Sequence, residues 1–397
     1  MKNICIAFSN ESPPFSPSAG GIASYIQHRA HILSEHGFDV WWFNQVQCAR
    51  FGVEDRQWTD IHDFPLSGFS KKITNRFPLA GAAARFICHE KGADILELPE
   101  GVGGYLPSMR TRRQPKIILH CHTTQRVREF LNREQLPFFT KARRRLNAWP
   151  TKRNFYRADS VLACSHFIAF LEAGFYKVHP DYFRVIPHAF HPLAESGFKL
   201  KADQTHDNMF LVVGNMEYFK GFDLIMEGFR RYRKNRGPAQ LLFAGPAGLD
   251  DSNPQVKELL GHPEIRMAMK DAGPDAVRFL GKLSKDRLAK VRARATAVVV
   301  GSRFEAFTMV VGEAVLAGCP LILSERTGWL DLAKRYDAAR LFCPYDPNDL
   351  ADAMMEMHEP HARAKYQANS ARLAQYLYSQ ELVSQTVQFY RQAATHP

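Results

Sequence analysis

Short apolar runs alternate with helix-patterned stretches along almost the whole chain, and this alternation constrains the fold more than any other feature. In the first half the strand-like runs are NICIAF (3–8), FDVWWFN (38–44), ADILELP (93–99), KIILHCH (116–122), DSVLACS (159–165) and FRVIP (183–187). Helical periodicity lies between them, most clearly in IASYIQHRAHILSEHG (22–37) and HFIAFLEAGF (166–175). Continuously apolar strands separated by helices predict a parallel sheet covered on both faces. Residues 188–208 are polar and aperiodic, and the pattern then restarts. MFLVVGN (209–215), AQLLFAG (239–245), VRFLGKL (277–283), ATAVVVGS (295–302) and PLILSE (320–325) read as strands, with FDLIMEGFRRYRKN (222–235) as a helix. The tail from Ala362 reads as helix only. The expectation is an α/β protein of two Rossmann-like, doubly wound domains facing a central cleft. An N-terminal domain spans 1–190, a linker 191–208, a second domain 209–375, and a C-terminal helix 376–397 that can cross back to the first domain.

A chain of 397 residues is too long for one ordinary core, which agrees with two domains. No apolar run reaches the roughly 18–20 residues of a membrane helix, and the start lacks the apolar core of a secretory signal. The seven cysteines are scattered, without CxxC pairs or zinc spacing, as expected of reduced thiols in a cytoplasmic protein. The net charge of +12 suits an anionic partner. It is concentrated in QLPFFTKARRRLNAWPTKRNFYRA (135–158), which holds seven basic residues and no acidic one. A solvated helix face is one reading. Interleaved Phe138, Phe139 and Trp149 favour the other, a peripheral contact with anionic membrane through Lys141–Arg145 at the inner face. No aromatic strand platform accompanies the charge, so nucleic acid is not an expected partner.

Neither half carries GxGxxG or a P-loop, so a dinucleotide fingerprint is absent. The chemistry is instead in SRFEAFTMVVGEAVLAG (302–318), where Glu305 and Glu313 flank an apolar segment. ATAVVVGS should be a strand, SRFEAF the loop after its C-terminal end, and TMVVGEAVLAG a helix stopped by Gly318 with Pro320 beyond. Ligands of open parallel sheets bind outside the carboxyl ends of the strands. The first amides of the helix suit a phosphate, and a carboxylate suits the paired hydroxyls of a ribose or a sugar.

SRFEAFTMVVGEAVLAGCPLILS resembles the EX7E motif of glycosyltransferase family 4, retaining enzymes with the GT-B fold. GNMEYFKGFDLIMEGF (214–229) resembles that family's G-R-L-x-x-x-K-G-x-D stretch, and ARLFCPYDPNDLADAM (339–354) a further one. The resemblance implies that Glu313 holds the donor ribose, that Glu305 contacts the transferred sugar, and that Lys220 grips the donor diphosphate. Ala306, Phe307 and Thr308 would complete the donor loop. The chain departs from the family at Thr308, usually Gly, and at Asn215, usually Arg. Arg303 is the candidate to replace the missing cation.

In the first half, SAGGIASYIQHRAHILSEHGFDV (18–40) resembles the family's opening, with Gly20 and Gly21 before a helix to close on a phosphate or sugar. KIILHCHTTQ places His120 and His122 on one face of a strand end. His122 matches the family's histidine, which would contact the transferred sugar, and His120 reads as a core residue. Two histidines allow a metal site, but no third ligand lies at diagnostic spacing, and no metal is expected. RADSVLACSHFIAFL places Ser165 as a helix cap. His188 and Ala189 stand where the family has Asn-Gly. Glu97 and Glu100, at another strand end, are offered as acceptor-hydroxyl ligands against a solvated-loop reading.

The resemblance thus implies a retaining, metal-independent hexosyltransferase of the EC 2.4 type, catalysed by His122, Lys220 and Glu305. It would move a sugar from a UDP- or GDP-sugar to a hydroxyl of a glycan, lipid-linked or small-molecule acceptor, as in bacterial-type glycan, lipopolysaccharide or glycoconjugate synthesis. The nucleotide-sugar is a substrate, and no cofactor is expected. The alternative is a catalytically impaired sugar-nucleotide-binding protein of the same fold, supported by Asn215 and Thr308.

Overall fold

The computed structural model describes residues 3–10, 13–15, 20–44, 46–64, 82–100, 114–122, 154–192, 207–216, 218–236, 238–245, 261, 263–273 and 276–395. The basic run with Lys141–Arg145 and most of the expected linker lie outside these residues. The described elements fall into two compact units, one from the first strand to residue 192 together with the last helix, the other between them.

The first unit is built on a sheet of eight strands: β1 (Ile4–Ser9), β2 (Phe38–Phe43), β3 (Gln47–Gly52), β4 (Gln57–Asp63), β5 (Ile95–Pro99), β6 (Lys116–Cys121), β7 (Ser160–Ala163) and β8 (Phe183–Val185). Their spatial order is β4-β3-β2-β1-β5-β6-β7-β8. The β2–β1–β5–β6–β7–β8 part is parallel, as the apolar runs predict. β3 and β4 correct the parallel expectation: β3 pairs antiparallel with β2, and β4 pairs antiparallel with β3 at the edge of the sheet. Their segments, QCARFG and QWTDIHD, are mixed in polarity because this hairpin at the margin of the sheet leaves part of its surface exposed, most of all on the edge strand β4. Trp58 nevertheless turns inward, and its indole N–H donates to Gln27 Oε1 at 2.7 Å.

Helix α1 (Gly21–Glu35) follows β1, α2 (Ala82–His89) precedes β5, and α3 (His166–Tyr176) follows β7. Ser165 caps α3, its side chain accepting from the Ile168 amide at 3.3 Å. The last helix of the chain also belongs to this unit. Its Tyr390 is fully buried, and Thr386 accepts a 2.6 Å bond from Arg29 Nη1 on α1.

The second unit has six parallel strands: β9 (Asp207–Val213), β10 (Gln240–Ala244), β11 (Val277–Gly281), β12 (Ala295–Val300), β13 (Leu321–Ser324) and β14 (Arg340–Phe342), in the order β11-β10-β9-β12-β13-β14. The reversal of direction between β9 and β12 is a topological switch point. The helices are α4 (Phe222–Arg236), α5 (Pro263–Ala272), α6 (Lys285–Arg294), α7 (Met309–Leu316), α8 (Leu330–Tyr336), α9 (Pro347–His358) and α10 (Pro360–Leu377), with α11 (Gln380–Thr395) returning to the first unit. β12 is ATAVVV and is buried at every position, as a central parallel strand must be. Phe222, Ile225, Met226 and Phe229 of α4 pack with Leu241, Val299, Leu350 and Met354 into one core.

Candidate active site

At the carboxyl end of the second sheet, the turn after β9 meets the loop after β12. Glycine makes this approach practicable. Gly221 has φ +72°, and a Cβ there would lie 2.0 Å from the Gly301 carbonyl oxygen. The neighbouring backbones are then tied directly, the Arg303 amide donating to Phe219 O at 2.7 Å. A 3-10 turn at Tyr218–Lys220 thereby presents Lys220 to Glu305, and the two form an ion pair. Ser302 Oγ also donates to Glu305 Oε2 at 3.3 Å.

Arg303 has a different occupation from the one expected of it. Its guanidinium is forked onto Asp223, with both contacts at 2.7 Å. It also donates to Tyr218 O at 2.7 Å and stacks 4.0 Å over the Tyr218 ring. A planar guanidinium engaged bidentately by a carboxylate has its charge balanced and its donors directed inward. Arg303 therefore staples the Lys220 turn to the loop, and the expectation that it replaces a cation at Asn215 is corrected on that ground. Asn215 itself is exposed just beyond β9.

The expected loop and helix are present. α7 runs from Met309 to Leu316, with Thr308 as its N-cap residue, making no side-chain cap bond, and it stops short of Gly318. Glu305 is pinned by its backbone: its amide donates to Arg326 O at 3.1 Å and its carbonyl accepts from Gly328 at 2.8 Å. Phe307 stacks on Trp329 with ring centres 3.9 Å apart, and the Trp329 indole donates to Thr308 O at 2.9 Å. Ala306 and Phe307 are buried, so they shape the loop from within. Glu313 is half-buried on α7, where Arg292 Nη2 of α6 meets its Oε2 at 2.8 Å. Arg292 escaped the sequence reading. Its position in the helix KDRLAKVRAR looks like one of several surface cations, yet its side chain is only 6% exposed.

In the first unit the described site gathers on α1 and the ends of β5 and β6. Glu97 is buried, its Oε1 accepting from Tyr25 at 2.8 Å and lying 2.9 Å from His120 Nδ1, its Oε2 accepting from Tyr390. Arg29 Nε donates to Tyr25 at 3.2 Å. Burial alone would raise the Glu97 carboxyl. His120, the Tyr390 hydroxyl and the Arg29 guanidinium outweigh it and hold the group below the usual carboxylate range. Burial and the Glu97 charge push the Tyr25 and Tyr390 hydroxyls up, so both remain donors. Glu100 is likewise buried, and its Oε2 accepts from the His122 amide at 2.8 Å. These positions correct the acceptor-ligand expectation for Glu97 and Glu100: the Glu97 oxygens and Glu100 Oε2 are spent on the protein's own donors.

His120 is fully buried, as a core residue should be, while His122 is half-buried at the strand end. Burial lowers the pKa of both imidazoles, despite Glu97 in the case of His120. His188, read from sequence only as a departure in a turn, lies with them: its ring centre is 5.4 Å from that of His120 and 6.2 Å from that of His122. The Tyr25 ring touches all three, with ring centres at 4.7, 5.3 and 4.5 Å. Gly20 and Gly21 start α1 as expected. Gly20 has an ordinary extended φ of −82°, and an added Cβ would meet nothing within 4 Å among the described residues. Neither its backbone nor the described packing demands glycine at position 20.

A family model described as "Glycosyltransferase Family 4" matches residues 19–192, and one described as "Glycosyl transferases group 1" matches residues 197–373. The chain belongs to glycosyltransferase family 4 and has the GT-B fold. It is 30% identical over 148 residues to mannosylfructose-phosphate synthase of Agrobacterium fabrum, covering 37% of this chain and 32% of that protein. It is 28% identical over 175 residues to glycogen synthase of Mycobacterium tuberculosis, covering 44% and 40%. The match thus spans well under half the length of these curated relatives. Among solved structures, sucrose-phosphate synthase from Thermosynechococcus elongatus superposes with a TM-score of 0.73 at 20% identity, over 98% of this chain and 99% of that one. The catalytic domain of starch synthase IV from Arabidopsis thaliana, bound to ADP and acarbose, gives 0.65 at 13% identity, over the whole of both chains at 100%. These structural likenesses show the fold. No helix among the described residues is long and apolar enough to cross a membrane.

Proposed function

We propose that the protein is a retaining glycosyltransferase that moves a hexose from a UDP- or GDP-sugar to a hydroxyl of a glycan, lipid-linked or small-molecule acceptor. The observation that carries this reading is the pairing of Lys220 with Glu305 at the switch point of the second sheet, with Glu313 on the following helix. A nucleotide-sugar offers a partner to each group. Its diphosphate competes with Glu305 for the Lys220 ammonium, and its two ribose hydroxyls donate to the Glu313 carboxylate. Glu305, released from Lys220, faces the sugar hydroxyls. As the sugar–phosphate bond breaks, negative charge grows on the leaving diphosphate. Lys220 and the amides at the start of α7 stabilise it in place, without a metal. The leaving diphosphate takes the acceptor's proton. The first unit takes the acceptor, and His122 and the Gly20–Gly21 turn are its groups suited to sugar and phosphate. The openness around Gly20 fits a glycine kept for ligand approach.

One observation favours a second reading, a sugar-nucleotide-binding protein with impaired catalysis. Arg303 is engaged by Asp223, so it does not make good the charge missing at Asn215. Thermal-shift and turnover assays with UDP-, GDP-, ADP- and CMP-sugars, with and without EDTA, separate the two. Stabilisation by one nucleotide with EDTA-insensitive turnover supports the transferase. Stabilisation without turnover, with turnover gained in Asn215→Arg, supports the impaired protein. Absence of any nucleotide binding overturns both.

A further inference from the structure

We propose that His120, His122 and His188 form a binding site for a divalent transition-metal ion of the zinc class. Their ligand nitrogens lie within 4.8 Å of one another. In a tetrahedral zinc site with metal–nitrogen bonds of about 2.0–2.1 Å, ligand nitrogens stand about 3.4 Å apart. Small side-chain rotations close that difference. The three residues come from the end of β6 and from the segment beyond β8, whose Ile186 amide bonds to Ala163 O at the end of β7 at 2.9 Å.

Two further observations point to a metal. His120 Nε2 is buried and has no hydrogen-bond partner among the described residues, whereas its Nδ1 lies 2.9 Å from Glu97. A carboxylate on one ring nitrogen with the other nitrogen turned to a metal is the usual arrangement of a metal-ligating histidine. Two carboxylates, Glu97 and Glu100, are also buried at these strand ends, Glu97 partly balanced by the Arg29 guanidinium and Glu100 bonded to the His122 amide. Three histidine ligands leave a fourth position for water. Softer imidazole donors select zinc, copper or nickel over magnesium and calcium.

This site shares His122 with the glycosyl-transfer reading, and it is tested by metal binding rather than by an activity assay. The full-length chain, stripped with chelator and desalted, is titrated with Zn²⁺ against a chromophoric chelator and, separately, with Co²⁺ in the visible range. The expected result is one equivalent of Zn²⁺ per chain and the intense Co²⁺ bands of a four-coordinate nitrogen site. His188→Asn and His120→Asn should each weaken Zn²⁺ binding at least about tenfold, with an unchanged circular dichroism spectrum. Glu97→Gln should weaken it about 10–100-fold, as loss of an orienting carboxylate does. No uptake of Zn²⁺ at micromolar concentration, or uptake untouched by the histidine substitutions, overturns the proposal. Should the variants not fold, carbethoxylation of the wild-type chain decides. Protection of His122 by Zn²⁺, located by peptide mapping, supports the site, and equal reactivity with and without Zn²⁺ overturns it. Nucleotide binding, read in parallel by thermal shift, is unaffected by either outcome.

Discussion

The carboxylate of Glu313 on α7 is held by Arg292 of α6 at 2.8 Å, and the guanidinium is almost wholly buried while the carboxylate is partly open. The pair orients Glu313 before any ligand arrives. Glu313→Ala should therefore weaken nucleotide binding by about 1–3 kcal/mol, since it removes both a charged acceptor and its preset geometry. Arg292→Met should weaken it less and lower the melting temperature, because a half-buried charge loses its partner. Isothermal titration with the nucleotide found by screening checks both, and unchanged affinity in Glu313→Ala removes the ribose role.

Lys220 is offered to the diphosphate as a compact charge. Lys220→Ala should lower kcat about 10²–10³-fold, the scale seen when one fixed donor to a developing oxyanion is removed. Single-turnover kinetics measures this. A near-wild-type rate means that the diphosphate is gripped elsewhere.

Asp223 distinguishes two roles for Arg303. If the fork onto Asp223 is a staple, Asp223→Asn loosens the Lys220 turn, lowers thermal stability and lowers kcat. If Arg303 were held in reserve as a cation for the diphosphate, the same substitution would release it and tighten nucleoside diphosphate binding. The stacking of Arg303 on Tyr218 and its bond to Tyr218 O predict the first outcome.

The buried histidines make the fold acid-labile. Burial lowers His31 to about 4, and lowers His122 and His188 as well. The unfolded chain then binds more protons between that range and the ordinary pKa of about 6.5. Stability is fully present above about pH 6.5 and falls as the pH drops through this window. Urea midpoints measured from pH 7.5 to 4.5 should decline, with a shallower slope in His31→Gln. A flat profile would mean that these rings protonate without cost.

The basic run is tested on its own. Neutralising Arg143, Arg144 and Arg145 should weaken binding to vesicles rich in anionic lipid by about 1 kcal/mol per charge, with a loss in wild type at high salt. Equal co-sedimentation of both forms leaves the run as plain surface and favours a soluble acceptor.

Much of this protein was legible in its sequence, because strand and helix periodicity is local. The parallel strands β1, β2, β5 to β13, the helices α1, α3, α4 and α7 and the stop before Gly318 follow from apolar runs, caps and breakers a few residues apart. Glu305 and Glu313 stand out in the sequence as candidates for a related reason, a short stretch that puts two carboxylates near a strand end, whereas Lys220 is marked only by the resemblance of its stretch to the family's. The hairpin β3–β4 was missed because an edge strand need not be continuously apolar.

What only the tertiary structure decided is which side chains answer one another across long separations. Arg292 meets Glu313, Arg303 is taken by Asp223, and Tyr390 reaches Glu97 from the far end of the chain. His188 joins His120 and His122 because β8 lies next to β7 and β7 next to β6 in the sheet. Sequence records the chemistry of each group, whereas pairing depends on strand order and on which groups burial forces to find a partner.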